Sequence, residues 1–151
     1  MSDTTLAFVH VTMNTAAFDA TREYCTREIV FLWQPPSCSS QWTPSRFTVD
    51  GISYSCCEQV FAAEKSRLFG YHQTFQPIMR VYDPRLHKQH GRNVRNVDLA
   101  VWERERENIV LVGSYVKFAQ TPVIQLNRLD TDDRLVAEAS PYDLVWHRIQ
   151  G

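Results

Sequence analysis

Several features are scarce in this chain of 151 residues, and each scarcity removes a class of function. Neither sign of charge dominates: 16 Lys and Arg stand against 17 Asp and Glu, a formal net charge of −1. Gripping a nucleic-acid duplex along its backbone needs a clear basic surplus, so no stable duplex binding is expected. A local basic pocket for one or two phosphates remains compatible with the balance. No apolar run approaches the roughly 18 residues that cross a bilayer, and the first 15 residues lack the basic start and apolar stretch of a signal peptide. No membrane association is therefore expected. The four cysteines, Cys25, Cys38, Cys56 and Cys57, include no CxxC pair, and adjacent Cys56 and Cys57 are poorly placed to bridge each other. They read as reduced thiols of a cytoplasmic or nuclear protein. Paired Cys/His spacing is missing, so no metal site is expected. His72, His87, His90 and His147 fall into no triad-like or metal-like group. Repeats and low-complexity segments are absent as well.

What is present suits one soluble domain with a real core: 44% hydrophobic and 22% charged residues. Residues 6–11 read as a strand or loose arm, and a leading region over 12–24 as helical. The apolar run Ile29-Val30-Phe31-Leu32 predicts a strand over 28–33, followed by a Pro- and Ser-rich loop over 34–43. Alternation around Asp50-Gly51 predicts a hairpin over 46–54. A helix is expected over 56–69, ended by Gly70. Asp83-Pro84 reads as an N-cap and first helical residue, opening a helix that Gly91 closes. Asp98 opens the longest helix, to about Ala119, with Leu99, Trp102, Ile109, Val112 and Val116 near one apolar stripe. Its alternating charges over 103–107 read as a solvated face with local ion pairs. Thr121-Pro122 starts a further short helix, and 135–139 reads as a last strand. Early strands and later helices together predict an α+β, helix-rich single domain with a few short strands.

Chemistry concentrates on the helix over 56–69. Glu58 and Lys65 stand seven residues apart, nearly two turns, and so project within about 20° of each other. Small Ala62 between them leaves a gap, while Val60, Phe61, Glu64 and Leu68 mark the neighbouring, core-facing side. A lysine beside a hydrophobic wall loses solvation, which lowers its pKa and frees a nucleophilic amine. A carboxyl group there can act as general acid or base. On spacing alone, two surface charges on a helix are the commoner outcome. Trp33, Trp42, Trp102 and Trp146 come from four separate parts of the chain. Indole faces bind flat bases, with stacking worth roughly 1–3 kcal/mol per base, although any one tryptophan more often fills core. Trp42, in a polar loop, and Trp146, after a Ser-Pro-Tyr-Asp turn, escape that outcome best. Arg92, just past a helix end with Arg95 nearby, offers a phosphate fork or a solvated C-terminal arginine in equal measure. Asp143 suits ribose hydroxyls or a turn cap.

These stretches resemble the NADAR family, the YbiA-like N-glycosidases. The similarity is carried by Ser40-Gln41-Trp42-Thr43-Pro44-Ser45-Arg46-Phe47-Thr48-Val49-Asp50-Gly51, Cys57-Glu58-Gln59, Ala63-Glu64-Lys65, Leu68-Phe69-Gly70, Gly91-Arg92-Asn93-Val94-Arg95, Val101-Trp102, Lys117-Phe118-Ala119-Gln120, and Glu138-Ala139-Ser140-Pro141-Tyr142-Asp143 with Trp146. They run in the family's order over roughly residues 28 to 146, which sets a NADAR domain at 28–151 behind an N-terminal extension, 1–27.

The resemblance implies hydrolysis of an N-glycosidic bond, either removal of ADP-ribose from guanine or cleavage of phosphoribosyl-aminopyrimidine intermediates of riboflavin synthesis. The expected substrate is an ADP-ribosylated guanine nucleotide or nucleic acid. Lys65 falls at the family's attacking lysine, which forms a Schiff base with the opened ribose, and Glu58 at its acid/base position. Trp42, Trp102, Asp143 and Trp146 match substrate-binding positions, and Arg92 a phosphate contact. No cofactor is implied, because the iminium itself stabilises the reacting carbon. The pattern departs at its end, where His147-Arg148-Ile149 stands in place of a Gly-x-Gly run and a closing helix. That departure is the main support for the other reading, a module that binds ADP-ribose or a related nucleotide without cleaving it.

Overall fold

The computed structural model describes residues 23–32, 34–129 and 132–138. The expectations at residues 6–11, Trp33, Asp143 and Trp146 lie outside them. The described residues fall into two compact units, one from the parts 1–40 and 128–151, the other from residues 41–127.

The first unit holds a three-stranded sheet of β1 (Glu23–Cys25), β2 (Ile29–Leu32) and β5 (Leu135–Glu138), in the order β1-β2-β5. Central β2 is the unbroken apolar run of the sequence, as a strand flanked on both sides should be. It pairs antiparallel with β1 and parallel with β5, where Val30 faces Val136. Val30, Leu32 and Val136 bury together. β1 corrects the helical reading of 12–24 at its last two residues, Glu23 and Tyr24, the rest of that segment lying outside the described residues. A tight turn sends the chain back, because Thr26 Oγ1 accepts the amides of Glu28 and Ile29 at 3.2 and 2.8 Å, and the returning backbone pairs as sheet.

The second unit starts with the hairpin of β3 (Phe47–Val49) and β4 (Ile52–Tyr54). Asp50 and Gly51 turn it with φ of 48° and 79°, the paired positive values that suit a two-residue hairpin. The helices follow: α1 (Cys57–Leu68), α2 (His72–Arg80), α3 (Pro84–Arg92), α4 (Leu99–Gln120) and α5 (Pro122–Leu129). No described helix is long and apolar enough to cross a membrane. The sequence pattern does not announce α2, since Pro77 sits inside it, where proline removes one backbone hydrogen bond. Asp83 and Asp98 cap α3 and α4: their carboxylates accept Arg85 N at 2.9 Å and Ala100 N and Val101 N at 2.9 and 3.1 Å. Phe69 closes α1, and Gly70 follows at φ 62°.

Helix α1 is the hub, packing against α2, α3 and α4. Its buried residues are Cys57, Gln59, Val60, Ala62, Ala63 and Ser66. The expected core side is thus only partly right: Val60 is buried, but Leu68 is exposed, and Glu64 faces outward enough to bond Arg67 and the Tyr54 hydroxyl. Small residues let the helices approach closely. A Cβ on Gly91 would stand 3.2 Å from Ala62 Cβ, and one on Gly113 3.4 Å from Val60. Gly91 therefore lies inside α3 instead of closing it, and the gap expected above Ala62 is filled by α3. On α4 the buried line runs through Trp102, Val110, Gly113 and Lys117. The expected stripe holds at Trp102, Ile109 and Val116, which face the core, but not at Leu99, which is 72% exposed, or at Val112, which also faces solvent. The charged stretch forms surface pairs as anticipated, Arg106 to Glu103 at 2.6 Å and Arg104 to Glu105 at 2.8 Å.

Candidate active site

Helix α1 carries the acid and the amine, and each meets a different indole. The N-terminus of α1 has no side-chain cap. Instead, the Gln41 carbonyl accepts Glu58 N at 3.1 Å, satisfying a backbone donor that the helix cannot pair by itself. The Gln41 side chain donates to Ser114 Oγ of α4 at 3.0 Å. The next residue, Trp42, donates its indole N–H to Glu58 Oε2 at 3.2 Å. The loop thus holds Glu58 at both its amide and its carboxylate, which sets the rotamer of a half-buried acid.

Two turns along, Lys65 lies with Nζ 5.0 Å from the centre of the Trp102 ring. Phe61 and Phe69, one turn before and one turn after Lys65, pack on the same indole at centroid distances of 4.9 and 6.3 Å. The ammonium rests on an aromatic wall, where its charge is attracted to the ring face. Burial pushes its pKa below the ordinary lysine range, and no carboxylate among the described residues counteracts the shift. An amine in this setting releases its proton more readily than one in water. Side chains on a helix lean toward its N-terminus, so Lys65 leans toward the turns that carry Glu58.

A cavity of about 360 Å³ is lined by Trp42, Arg85, Lys88, Gln89, Arg92 and Asn93. Lys88 and Arg92 are one turn apart on α3, and Lys88 Nζ stands 6.0 Å from the Trp42 ring centre. Arg85 is engaged with both oxygens of Asp83 at 2.8 to 3.1 Å. Trp42 and Arg92, both singled out in the sequence, share this cavity. Glu58 connects to it through the Trp42 indole, and Lys65, farther along the same helix, forms a second station against Trp102 of α4. Sequence reasoning missed Phe61, Phe69, Lys88 and Gln41. The i±4 spacing around Lys65 and the Lys88–Arg92 spacing were available signals for three of them; the role of Gln41 lies in loop geometry that no spacing reveals.

Other buried polar groups support the scaffold. His87 is fully buried; its Nε2–H donates to the Val81 carbonyl at 2.8 Å, which leaves Nδ1 to accept the Cys56 thiol at 3.5 Å. Burial lowers the His87 pKa and raises that of Cys56. Burial also pushes the Cys57 thiol up to about 11, against the nearby charge of Lys117. Neither thiol is thereby poised as a nucleophile. Among the described residues no three His, Cys, Asp or Glu side chains gather as metal ligands.

The arrangement defines a class: α+β proteins that carry a lysine and a carboxylate two turns apart on one helix, each against an indole, beside a cation-lined pocket. Residues 28–148 match the model of the NADAR domain, and the chain belongs to that family. It is 35% identical to an N-glycosidase of Acanthamoeba polyphaga mimivirus over 112 residues, which is 71% of this chain and 66% of that protein. It is 25% identical to the protein irg-1 of Caenorhabditis elegans over 97 residues, 63% of this chain and 46% of that one. The chain thus spans less than two thirds of the length of either relative. The solution structure of the E. coli protein YbiA superposes with a TM-score of 0.70 at 21% identity, covering 85% of this chain and 76% of that one. The fold is accordingly α+β and YbiA-like.

Proposed function

We propose that this protein is an N-glycosidase that hydrolyses the bond between ribose C1 and a base, with ADP-ribosylated guanine as its substrate. The similarity to the viral N-glycosidase supports the reaction class. The observation that carries the reading is Lys65, held on the Trp102 ring with its proton loosened by burial. A free amine attacks carbon and an ammonium does not.

In the proposed reaction Lys65 Nζ bonds to C1 and the C1–N bond to guanine breaks. The electron pair leaves on the base, which takes a proton from Glu58. The ring C1–O4′ bond then opens to a Schiff base between C1 and Nζ. Water adds to C1, the C1–Nζ bond breaks, and ADP-ribose departs with the amine restored. One water is consumed and no electrons are gained or lost. Trp42 supplies a stacking face for a flat ring, at about 1–3 kcal/mol per base, whereas Trp102, buried against Phe61 and Phe69, serves the proposed site by holding the Lys65 amine. Arg92, joined by Lys88, holds phosphate oxygens. Asp143 and Trp146 complete the proposed substrate contacts on the strength of the family pattern.

The test is turnover of ADP-ribosylated guanosine. Wild-type protein should release ADP-ribose, Lys65→Ala should release none, and borohydride should add the sugar's mass to the Lys65 peptide. Undiminished turnover by Lys65→Ala would sink the lysine route. Turnover confined to phosphoribosyl-aminopyrimidines would keep the reaction class and replace the substrate.

A further inference from the structure

Helix α4 gives the proposed reaction only Trp102, yet it meets the candidate site at several further points. Near its start, Trp102 packs on Phe61, Phe69 and Lys65 of α1. Farther along, Gly113 lies where an added Cβ would stand 3.4 Å from Val60, and the charge of Lys117 acts on the Cys57 thiol. α4 therefore runs back along α1, and its second half reaches the turn that carries Glu58. The bare Gly113 lets the two backbones come close. The next residue, Ser114, meets the Cys57 thiol and accepts the Gln41 side-chain amide at 3.0 Å.

What Ser114 holds is the segment that holds the acid. The Gln41 carbonyl accepts Glu58 N at 3.1 Å, and its neighbour Trp42 donates to Glu58 Oε2 at 3.2 Å. The same segment is fixed to α4 a second time. Thr48 N donates to Gln120 Oε1 at 2.8 Å, and Gln120 Nε2 donates to the Thr48 carbonyl at 2.9 Å. Residues 41–48 are thus tied to α4 at both ends, with Trp42 between the ties. An indole has one N–H, fixed in the plane of its ring. A ring that tilts with a loosened segment therefore takes its bond away from the carboxylate.

We infer that Ser114 and Gln41 are positioning residues for the proposed acid: through them and Trp42, α4 sets the direction of the Glu58 carboxylate, as through Trp102 it seats Lys65. One helix then fixes the placement of both reacting groups. A general acid works only within hydrogen-bond reach of the atom that takes its proton, so a carboxylate that turns away keeps its charge and loses its use. Ser114 and Gln41 act through Glu58 and not on the substrate. Their part in catalysis rests on the glycosidase reading; the orientation of Glu58 does not.

Two measurements on the full chain test it. The first is the NMR resonance of the Trp42 indole N–H, followed across the carboxylate titration range. In wild type it should respond to pH as Glu58 titrates, and Glu58→Gln should abolish the response. Ser114→Ala removes the acceptor for Gln41 and should shrink the response to less than half, while Ser114→Thr keeps a hydroxyl and should restore it. Gln41→Met cuts the same link from the loop side and serves equally if Ser114→Ala does not fold. A merely structural role would lower the melting temperature and leave this response unchanged. The second measurement is turnover of ADP-ribosylated guanosine, where Ser114→Ala should lower kcat on the order of tenfold, less than the roughly 100-fold that a 1 Å misplacement can cost, and Ser114→Thr should recover it. A wild-type resonance that ignores pH, or a full response in Ser114→Ala and Gln41→Met, overturns the positioning role. A reduced response with undiminished turnover overturns its part in catalysis. A reduced response, restored by Ser114→Thr, with no turnover of any substrate by wild type leaves the control of Glu58 by α4 standing and removes the glycosidase reading instead.

Discussion

A lysine amine becomes useful when it is kept from water without being given an anion to hold. Lys65 meets that condition: burial lowers its pKa, and no carboxylate among the described residues restores it. The indole of Trp102 covers Nζ at 5.0 Å, so its removal is expected to let water in. In Trp102→Ala, water reaches Nζ and the pKa moves up toward the ordinary 10.5. At a fixed pH below that value, less amine is free. The rising limb of the pH–rate profile should move to higher pH, and the rate at a fixed pH on that limb should fall about tenfold for every pH unit the limb moves. A limb that stays in place, in protein that is folded by circular dichroism, would show that the ring does not control the amine. Lys65 and Glu58 were legible as a pair because the i, i+7 spacing lies within one linear element. Their separate indoles were legible only as residues of the right type, since Trp42 and Trp102 reach α1 from 16 positions before Glu58 and from another helix.

The elements depend on small residues where helices meet. Gly91 lies within α3 because a side chain would press on Ala62 of α1. In sequence, a glycine near a helix end reads as a left-handed terminus, and only the neighbouring helix shows that the demand is for space. Gly91→Val should therefore destabilise the protein by about 1–3 kcal/mol through overpacking, seen as a lower urea midpoint with little change in slope. An unchanged midpoint would mean that α1 and α3 can separate at no cost. Since α3 also carries Lys88 and Arg92, the same variant should weaken nucleotide binding more than a substitution elsewhere on its exposed side. The apolar stripe of α4 was right at Trp102, Ile109 and Val116 and incomplete for a related reason. Gly113 and Lys117 are buried on it, and periodicity counts neither as apolar.

For the whole molecule, the thiols report burial directly. Cys25 is exposed, Cys38 is intermediate, and Cys56 and Cys57 are buried, and none of the four is joined to another in a disulfide. Titration with a thiol reagent should modify Cys25 first and Cys38 more slowly. Cys56 and Cys57 should react only on denaturation, since burial raises their pKa as well as covering them. Fewer than four reactive thiols in denaturant without reductant would reveal a disulfide that this structure does not contain. The sequence by itself determined the properties that depend on near neighbours along the chain. These are the hairpin at Asp50-Gly51, the capped starts of α3 and α4, the apolar strand β2, and the ordered motifs of the NADAR family. Tertiary structure alone decided which face each helix buries, that α3 runs through Gly91, that Gln41 caps α1, and that Lys65 rests on Trp102. The physical reason is that desolvation, close packing and indole contacts belong to pairs of segments distant in sequence, and the linear order of residues does not record the surface between them.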